Sequence, residues 1–91
     1  MNKAELSEAV AEKTGLTLQN AERAVDAVLD SLTEALASGS KVQIPGFGSF
    51  EVRERSAREG KNPSTGETIQ IPAAKIAVFK PGKNLKDTVN Q

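Results

Sequence analysis

The chain has 91 residues, a length typical of one small domain, and 37% of them are hydrophobic. It contains no cysteine and no histidine, which excludes disulfides, thiolate metal sites and the commonest acid–base side chain. No apolar run approaches the roughly 18 residues of a membrane span, and residues 1–10 lack the apolar core of a secretory signal. We therefore expect a cytoplasmic protein without metal, cofactor or membrane, which a partner subunit would stabilise because so small a domain is marginal alone.

Charge is distributed unevenly along the chain, although the net charge is zero. Residues 1–45 carry four basic and seven acidic side chains, a balance of −3. Residues 46–91 carry eight basic and five acidic side chains, a balance of +3. Such asymmetry fits a half that binds a polyanion, and it fits ordinary solvated charge equally well. Charge alone leaves both interpretations open.

The first 40 residues have the pattern of two helices. Asn2 is a suitable N-cap with Glu5 three residues later, and Gly15 provides a C-terminal stop. Thr17 is expected to cap a second helix, whose apolar residues recur at spacings of three and four and so share one face. A role in a hydrophobic core is favoured over a cofactor site, because these side chains are all aliphatic. They are Ala21, Ala24, Val25, Val28, Leu29, Leu32 and Leu36.

The second half of the chain has the pattern of antiparallel strands. Lys41–Ile44 and Ser49–Arg55 alternate polar and apolar side chains, and a tight turn at Pro45–Gly48 joins them. In the returning strand, Pro72 belongs at an edge or a bulge because it has no N–H group. A short final helix is expected from Lys83 to about Val89.

A long β-ribbon arm is predicted between about residues 53 and 75. Phe50 and Val52 share one side of the pleat, and we expect the strand to exchange this apolar face for an arginine face at Arg53 and Arg55. Such an exchange indicates that the strand extends out of the hydrophobic core into surroundings where positive charges are favourable. Two runs of about ten residues, at roughly 3.3 Å per residue, give an excursion of about 30 Å.

The tip of this arm, Asn62–Gly66, is compatible with two roles. Asn-Pro followed by Thr-Gly is ordinary turn chemistry. A tip proline among arginines also suits the minor groove of DNA. Both roles can coexist at Pro63, and the nearby arginines suit the narrow minor groove because a guanidinium is planar and weakly hydrated.

The segments GFGSFEVRERSAREGKNPSTGETIQIPAAK and FKPGKNLKD resemble the HU/IHF family of bacterial DNA-bending, nucleoid-associated proteins, and HU most closely. The resemblance covers essentially the whole chain. It implies an α+β fold in one domain, 1–91, that forms an intertwined homodimer. The implied parts are a helical dimerisation half (1–40), a three-stranded antiparallel sheet (41–81) extended into the arm (about 53–75), and a C-terminal helix (82–91). The implied dimer core comprises Val28, Leu29, Leu32, Leu36, Ile44, Phe47, Phe50 and Phe79.

The same resemblance implies a histone-like architectural protein of the nucleoid and not an enzyme. Its dimer would bind the minor groove of double-stranded DNA with little sequence specificity, and would bend and compact the duplex. Pro63 would intercalate, and bent, nicked or gapped DNA would be preferred. The implied DNA-binding residues are Lys3, Arg53, Arg55, Arg58, Lys61, Asn62, Pro63, Lys75, Lys80, Lys83 and Lys86.

Several positions depart from the usual pattern of the family. Glu59 lies in the arm where a cation is frequent, and Lys61 stands where arginine is frequent. Leu18 and Gln19 replace lysines at the start of the second helix. We therefore expect weaker DNA binding with a shallower salt dependence than in a basic relative. A protein-interaction module, whose ribbon adds a strand to a partner's sheet, is the main alternative.

Overall fold

The computed structural model describes all residues from 1 to 91 and contains three helices and five strands. The predicted α+β class is confirmed: two helices come first, antiparallel strands follow and extend into an arm, and a short helix ends the chain. The elements are α1 (Lys3–Thr14), α2 (Leu18–Ala37), β1 (Val42–Ile44), β2 (Gly48–Arg55), β3 (Arg58–Lys61), β4 (Thr68–Ile71), β5 (Ala74–Pro81) and α3 (Lys83–Val89).

The helix boundaries follow from local capping. The Asn2 side chain accepts a hydrogen bond of 2.8 Å from the backbone N–H of Glu5, as predicted for the start of α1. Gly15 ends α1 in the left-handed conformation with φ of 75°, which costs glycine little because it has no Cβ. The Thr17 hydroxyl accepts from the N–H of Asn20 at 3.2 Å and begins α2.

The helical hairpin encloses only a small part of its apolar surface. Ser7, Ala21 and Val25 are the buried residues of the whole chain, and all three lie where α1 meets α2. The rest of the apolar face of α2 is uncovered: Val28 is 58% exposed and Leu29 is 43% exposed. The apolar face predicted from the spacing of residues in α2 is therefore present, but a single chain leaves much of it exposed.

The main sheet has the strand order β1-β2-β5, with both pairs antiparallel. Phe79 lies opposite Phe50 in the register, and its ring centroid is 4.8 Å from that of Phe50 and 5.5 Å from that of Phe47. A Cβ on Gly48 would approach the Phe79 ring to 2.7 Å, so this close packing requires glycine.

The arm is built from two ladders and not from one continuous ribbon. The ladder between β2 and β5 ends at the pair Arg55 and Ala74, and the ladder between β3 and β4 begins at Arg58 and Ile71. The interruption contains Pro72, which has no N–H to donate to a neighbouring strand. The predicted arm is therefore present, and its pairing is interrupted at Pro72, where the sequence predicted an edge or a bulge.

The molecule is elongated and leaves much of its surface open. Its radius of gyration is 18.8 Å, whereas a compact chain of this length has about 12 Å. Its accessible surface is 7243 Å², against about 5,100 Å² for a compact monomer of this mass. None of the helices combines the length and the apolar character needed to span a membrane.

The eight residues expected in a dimer core are not buried within a single chain. Five of them are exposed and three are half-buried, so the chain supplies the side chains of a core without enclosing them. The exposed ones are Val28, Leu29, Ile44, Phe47 and Phe79, and the half-buried ones are Leu32, Leu36 and Phe50.

Candidate nucleic-acid interface

The main sheet has two chemically different faces, because successive side chains of a strand alternate in direction. Phe50 and Val52 of β2 share one face with Phe79 of β5, which lies opposite Phe50. Val52 and Leu36 of α2 line the same cleft, so this face is directed towards the helices. We call it the helix-facing face, and we call the other side the open face.

The open face carries the two arginines of β2. Arg53 donates to the carboxylate of Glu51, its neighbour two residues away on the same side of the strand. By the same alternation, Arg55 lies on this side, opposite to the side of Phe50 and Val52. The expectation that one face changes from apolar to arginine along the strand is therefore wrong, since the apolar residues and the arginines occupy opposite faces throughout.

Glu51 holds two of the open-face cations together. Its Oε1 atom lies 2.8 Å from Lys80 Nζ and 3.3 Å from Arg53 Nη2. The carboxylate side chain is only 19% exposed, whereas Lys80 and Arg53 are 51% and 56% exposed. The hydrogen bond from Lys80 lowers the pKa of Glu51 below its ordinary value, and Arg53 contributes in the same direction. The carboxylate is thus ionised at neutral pH and is shared by both cations.

Lys75 does not join Lys80 on the open face. It lies opposite Glu54 in the register, and it lines the cleft between the sheet and α2 together with Thr33 and Leu36. The structure therefore places Lys75 and Lys80, both implied to bind DNA, on opposite faces of the sheet.

Backbone hydrogen bonds close the tip of the arm. The N–H of Asn62 donates to the carbonyl of Glu67 at 2.8 Å, and the N–H of Gly66 donates to the carbonyl of Asn62 at 2.7 Å. The Asn62 side chain accepts from the N–H of Ser64 at 2.9 Å, so its oxygen has a structural role in the turn. Pro63 lies within this closed turn and is exposed, so its ring is accessible at the tip of the arm.

The two cations of β3 lie on opposite faces of the arm. Arg58 is directly opposite Ile71 and shares the apolar face of the ladder. Lys61 lies on the other face with Glu59, whose carboxylate accepts a hydrogen bond of 3.3 Å from Gln70. One face of the arm is therefore apolar with a single arginine, and the other is polar and contains an acid.

Lys3 at the start of α1 is paired with an acidic stretch of α2. Its Nζ lies 2.9 Å from Asp26 Oδ1. The hydrogen bond and charge of Asp26 raise the pKa of Lys3, and the charges of Glu22 and Asp30 add to this effect. Lys3 is therefore already neutralised within its own chain.

The remaining two lysines lie on α3, beside the turn between β1 and β2. The N–H of Gly82 donates to the carbonyl of Phe47 at 2.8 Å, and this bond fixes the start of the helix against the turn. Lys83 occupies the first turn of α3 and Lys86 its last turn, and both are exposed. These two lysines therefore form a basic site that is separate in sequence from the arm.

Comparison with known proteins identifies the family of this chain. The family model described as bacterial DNA-binding protein matches residues 1–90. The chain belongs to the HU/IHF family of bacterial DNA-binding proteins. This family membership sets the enzyme class aside, as the sequence predicted.

Relatives in the family match almost the full length. DNA-binding protein HU of Geobacillus stearothermophilus is 64% identical over 89 residues, which are 98% of this chain and 99% of the relative. DNA-binding protein HU 1 of Bacillus subtilis is 60% identical and covers 98% of this chain and 97% of its own. A cocrystal structure of Anabaena HU with DNA is 49% identical, has a TM-score of 0.90, and covers 98% and 97% of the two chains.

Sequence reasoning missed two carboxylates that contact cations of this candidate interface. Glu51 precedes Arg53 by two residues, a spacing that places both on one face of a strand and could have indicated the pair. Its contact with Lys80 could not be found in the same way, because it depends on the register between β2 and β5. The partner of Lys3, Asp26, likewise depends on how the two helices pack.

Proposed function

We propose that this chain forms a homodimer that binds double-stranded DNA and bends it as a histone-like architectural protein. The observation that carries the proposal is the arm: a basic ribbon, closed at a proline-bearing tip, that projects from a fold shared with the HU–DNA cocrystal structure. Residues 1–91 act as one domain, in which 1–40 supplies the dimer interface, 41–81 the sheet with its arm, and 82–91 the final helix.

The uncovered apolar surface supports a dimer. An entirely apolar groove of about 250 Å³ lies between the helices and includes Leu6, Val10 and Leu29. A second groove extends along α2 through Val28 and Leu32 towards Val42 of β1. Two copies related by a twofold axis can cover these grooves with each other's α2 helix, because such an interface uses the same patch twice. The expected core residues then become buried between chains.

The charges of the arm support binding in the minor groove. Arg53 and Arg55 lie on the open face of the sheet, and Arg58 lies further along the arm on β3, opposite Ile71. The minor groove distinguishes bases poorly, so binding through it gives little sequence specificity. Lys61 joins the arginines in the minor groove, with Asn62 beside the tip. Lys75 and Lys80 contact phosphates at the sheet, and Lys83, Lys86 and Lys3 contact the flanking DNA.

The closed tip supports intercalation by Pro63. The hydrogen bonds of the turn fix the backbone around the exposed ring, and the ring brings no donor that would remain unpaired between bases. Unstacking one base step costs a few kcal/mol, which is offset when bent DNA meets more cationic surface. Bent, nicked or gapped duplexes should therefore bind more tightly, since part of this cost is already met. The corresponding cellular location is the nucleoid, in the cytoplasm.

Fluorescence energy transfer between the ends of a short duplex tests the proposal. The native protein should shorten the end-to-end distance, and light scattering should give the mass of a dimer. Pro63→Ala should bind with less shortening, whereas Pro45→Ala, a change of an exposed turn proline outside the arm, should behave as the native protein. A monomer in solution, or an unchanged end-to-end distance with the native protein bound, would contradict the proposal.

A further inference from the structure

We propose that Glu51 is a built-in counter-ion of the DNA-binding surface, which weakens DNA binding and reduces its salt dependence by occupying Lys80 and Arg53. The inference rests on the proposed function, because it concerns the same open face of the sheet. It gives a carboxylate a role in setting the affinity for DNA, although no acidic residue is among the DNA-binding residues that the family resemblance implies.

The geometry places the carboxylate beneath the two cations. Glu51 lies opposite Val78 in the register and is mostly covered, while the charged ends of Lys80 and Arg53 remain about half-exposed above it. Both cations direct hydrogen bonds to the same oxygen, Oε1, at 2.8 and 3.3 Å. A phosphate that approaches the open face must share these donors with Glu51 or displace it.

The carboxylate competes effectively because it is ionised and tethered. The nearby cations lower the pKa of Glu51, so it keeps its charge well below neutral pH. It is also fixed on the same strand as Arg53 and on the strand next to Lys80, which removes the entropy cost that a free anion pays for binding. The pair of cations therefore presents about one net positive charge to DNA instead of two.

Counter-ion release makes this arrangement measurable. Each phosphate neutralised by a free cation releases condensed ions, and adds about 0.9 to the slope of log K against log salt. When Lys80 or Arg53 leaves Glu51 for a phosphate, the exposed carboxylate attracts ions from solution, which offsets that release. Removing the carboxylate charge should restore the full contribution of both cations.

Glu54 provides a matched control for this experiment. It lies on the same strand, three residues further on, but on the helix-facing face and without an ion pair. Glu51→Gln and Glu54→Gln raise the net charge of the chain by the same amount. A difference between the two variants therefore reports the local contact and not the long-range field of the protein.

The test measures fluorescence anisotropy of a labelled duplex with each protein over a series of KCl concentrations. Glu51→Gln should bind more tightly at low salt, with a slope steeper by about 0.9, because the two cations then present one more positive charge to DNA. Glu54→Gln should keep the slope of the native protein. Equal slopes for the two variants, or weaker binding by Glu51→Gln, would overturn the inference. Failure of the native protein to bind at all would instead contradict the proposed function.

A second pair of variants keeps the inference testable if Glu51→Gln does not fold. Arg55 lies on the open face without an ion pair, whereas Lys80 is paired with Glu51. Lys80→Gln should therefore reduce the salt slope by less than Arg55→Gln. An equal or larger reduction for Lys80→Gln would overturn the inference.

Discussion

The helical half and the arm are stabilised in different ways, although each leaves a large surface uncovered. The helices are begun and ended by local caps, and their open surface is aliphatic, as at Val28 and Leu29. The arm is held by ladder bonds and a closed turn, and its cations are exposed. An aliphatic face is best covered by another aliphatic face, and a cationic ribbon by a polyanion. The helical half is therefore suited to another aliphatic surface as its partner, and the arm is suited to a polyanion.

The largest effect is expected from a charge on the uncovered face of α2. Val28→Asp should cost little if the chain works alone, because the residue is 58% exposed. In a dimer core the same change buries an unpaired charge, which costs roughly 3–5 kcal/mol. We expect light scattering to give a monomer mass and urea unfolding to show a stability loss of this size.

A change on the polar face of the same helix is the control for that experiment. Gln19→Asp adds the same charge at an exposed position, so its stability should stay within about 0.5 kcal/mol of the native protein. Similar small losses for both variants would contradict an interface on this face of α2.

Removing arm cations should affect DNA binding without affecting the helical half. Arg55→Ala with Arg58→Ala should weaken binding about 100-fold or more, because a hydrogen bond to a charged group contributes about 1.5–3 kcal/mol. The melting temperature should not fall. Lys13→Ala with Arg23→Ala removes the same charge from the helices and should leave most of the affinity, as measured by anisotropy. If the two double variants bound equally, general charge and not the arm would explain the affinity.

Two glycines should separate the stability of the sheet from that of the arm. Gly48→Ala places a Cβ 2.7 Å from the Phe79 ring and should cost about 1–3 kcal/mol of global stability through overpacking. Gly66→Ala has open space around it but a φ of 74°, which strains the arm turn by about 1–2 kcal/mol. Calorimetry should therefore show a lower melting temperature for Gly48→Ala and an unchanged one for Gly66→Ala. A comparable fall for Gly66→Ala would show that the arm and the core unfold together.

The smallest effect concerns the pH dependence of the pair between Lys3 and Asp26. Asp26 raises the pKa of Lys3, so the pair contributes its full stability below the ordinary lysine pKa. That contribution is lost as the pH rises through the raised pKa of Lys3. The difference in melting temperature between the native protein and Asp26→Asn should therefore be constant near neutral pH and shrink in strongly alkaline buffer. A difference that grew with pH would contradict this assignment.

Much of the fold could be predicted because its signals are local. The caps at Asn2 and Thr17, the stop at Gly15 and the spacing of apolar residues in α2 each depend on a few neighbouring residues. The uncovered face of α2 was predictable for the same reason. Period-2 alternation predicted the strands. The same alternation places Arg53 and Phe50 on opposite faces of β2, which contradicts our prediction of one face that changes from apolar to arginine.

The parts of the candidate site that the sequence did not predict depend on contacts between strands or between helices. Lys80 meets Glu51 only through the register of β2 and β5, and Lys75 lies on the other face for the same reason. The separation of Arg58 from Lys61 likewise follows once the β3–β4 pairing is known. The interruption of the arm had one local signal, Pro72, whose missing N–H indicated an irregularity but not its extent.

The interruption between the two ladders allows the outer part of the arm to change its direction relative to the sheet. No inter-strand hydrogen bond involves Ser56, Ala57, Pro72 or Ala73, so a change of direction there breaks none. The distal ladder and its turn can tilt as one rigid piece, while the proximal ladder stays aligned with the sheet. The orientation of Pro63 relative to the sheet is therefore not fixed by hydrogen bonds between strands.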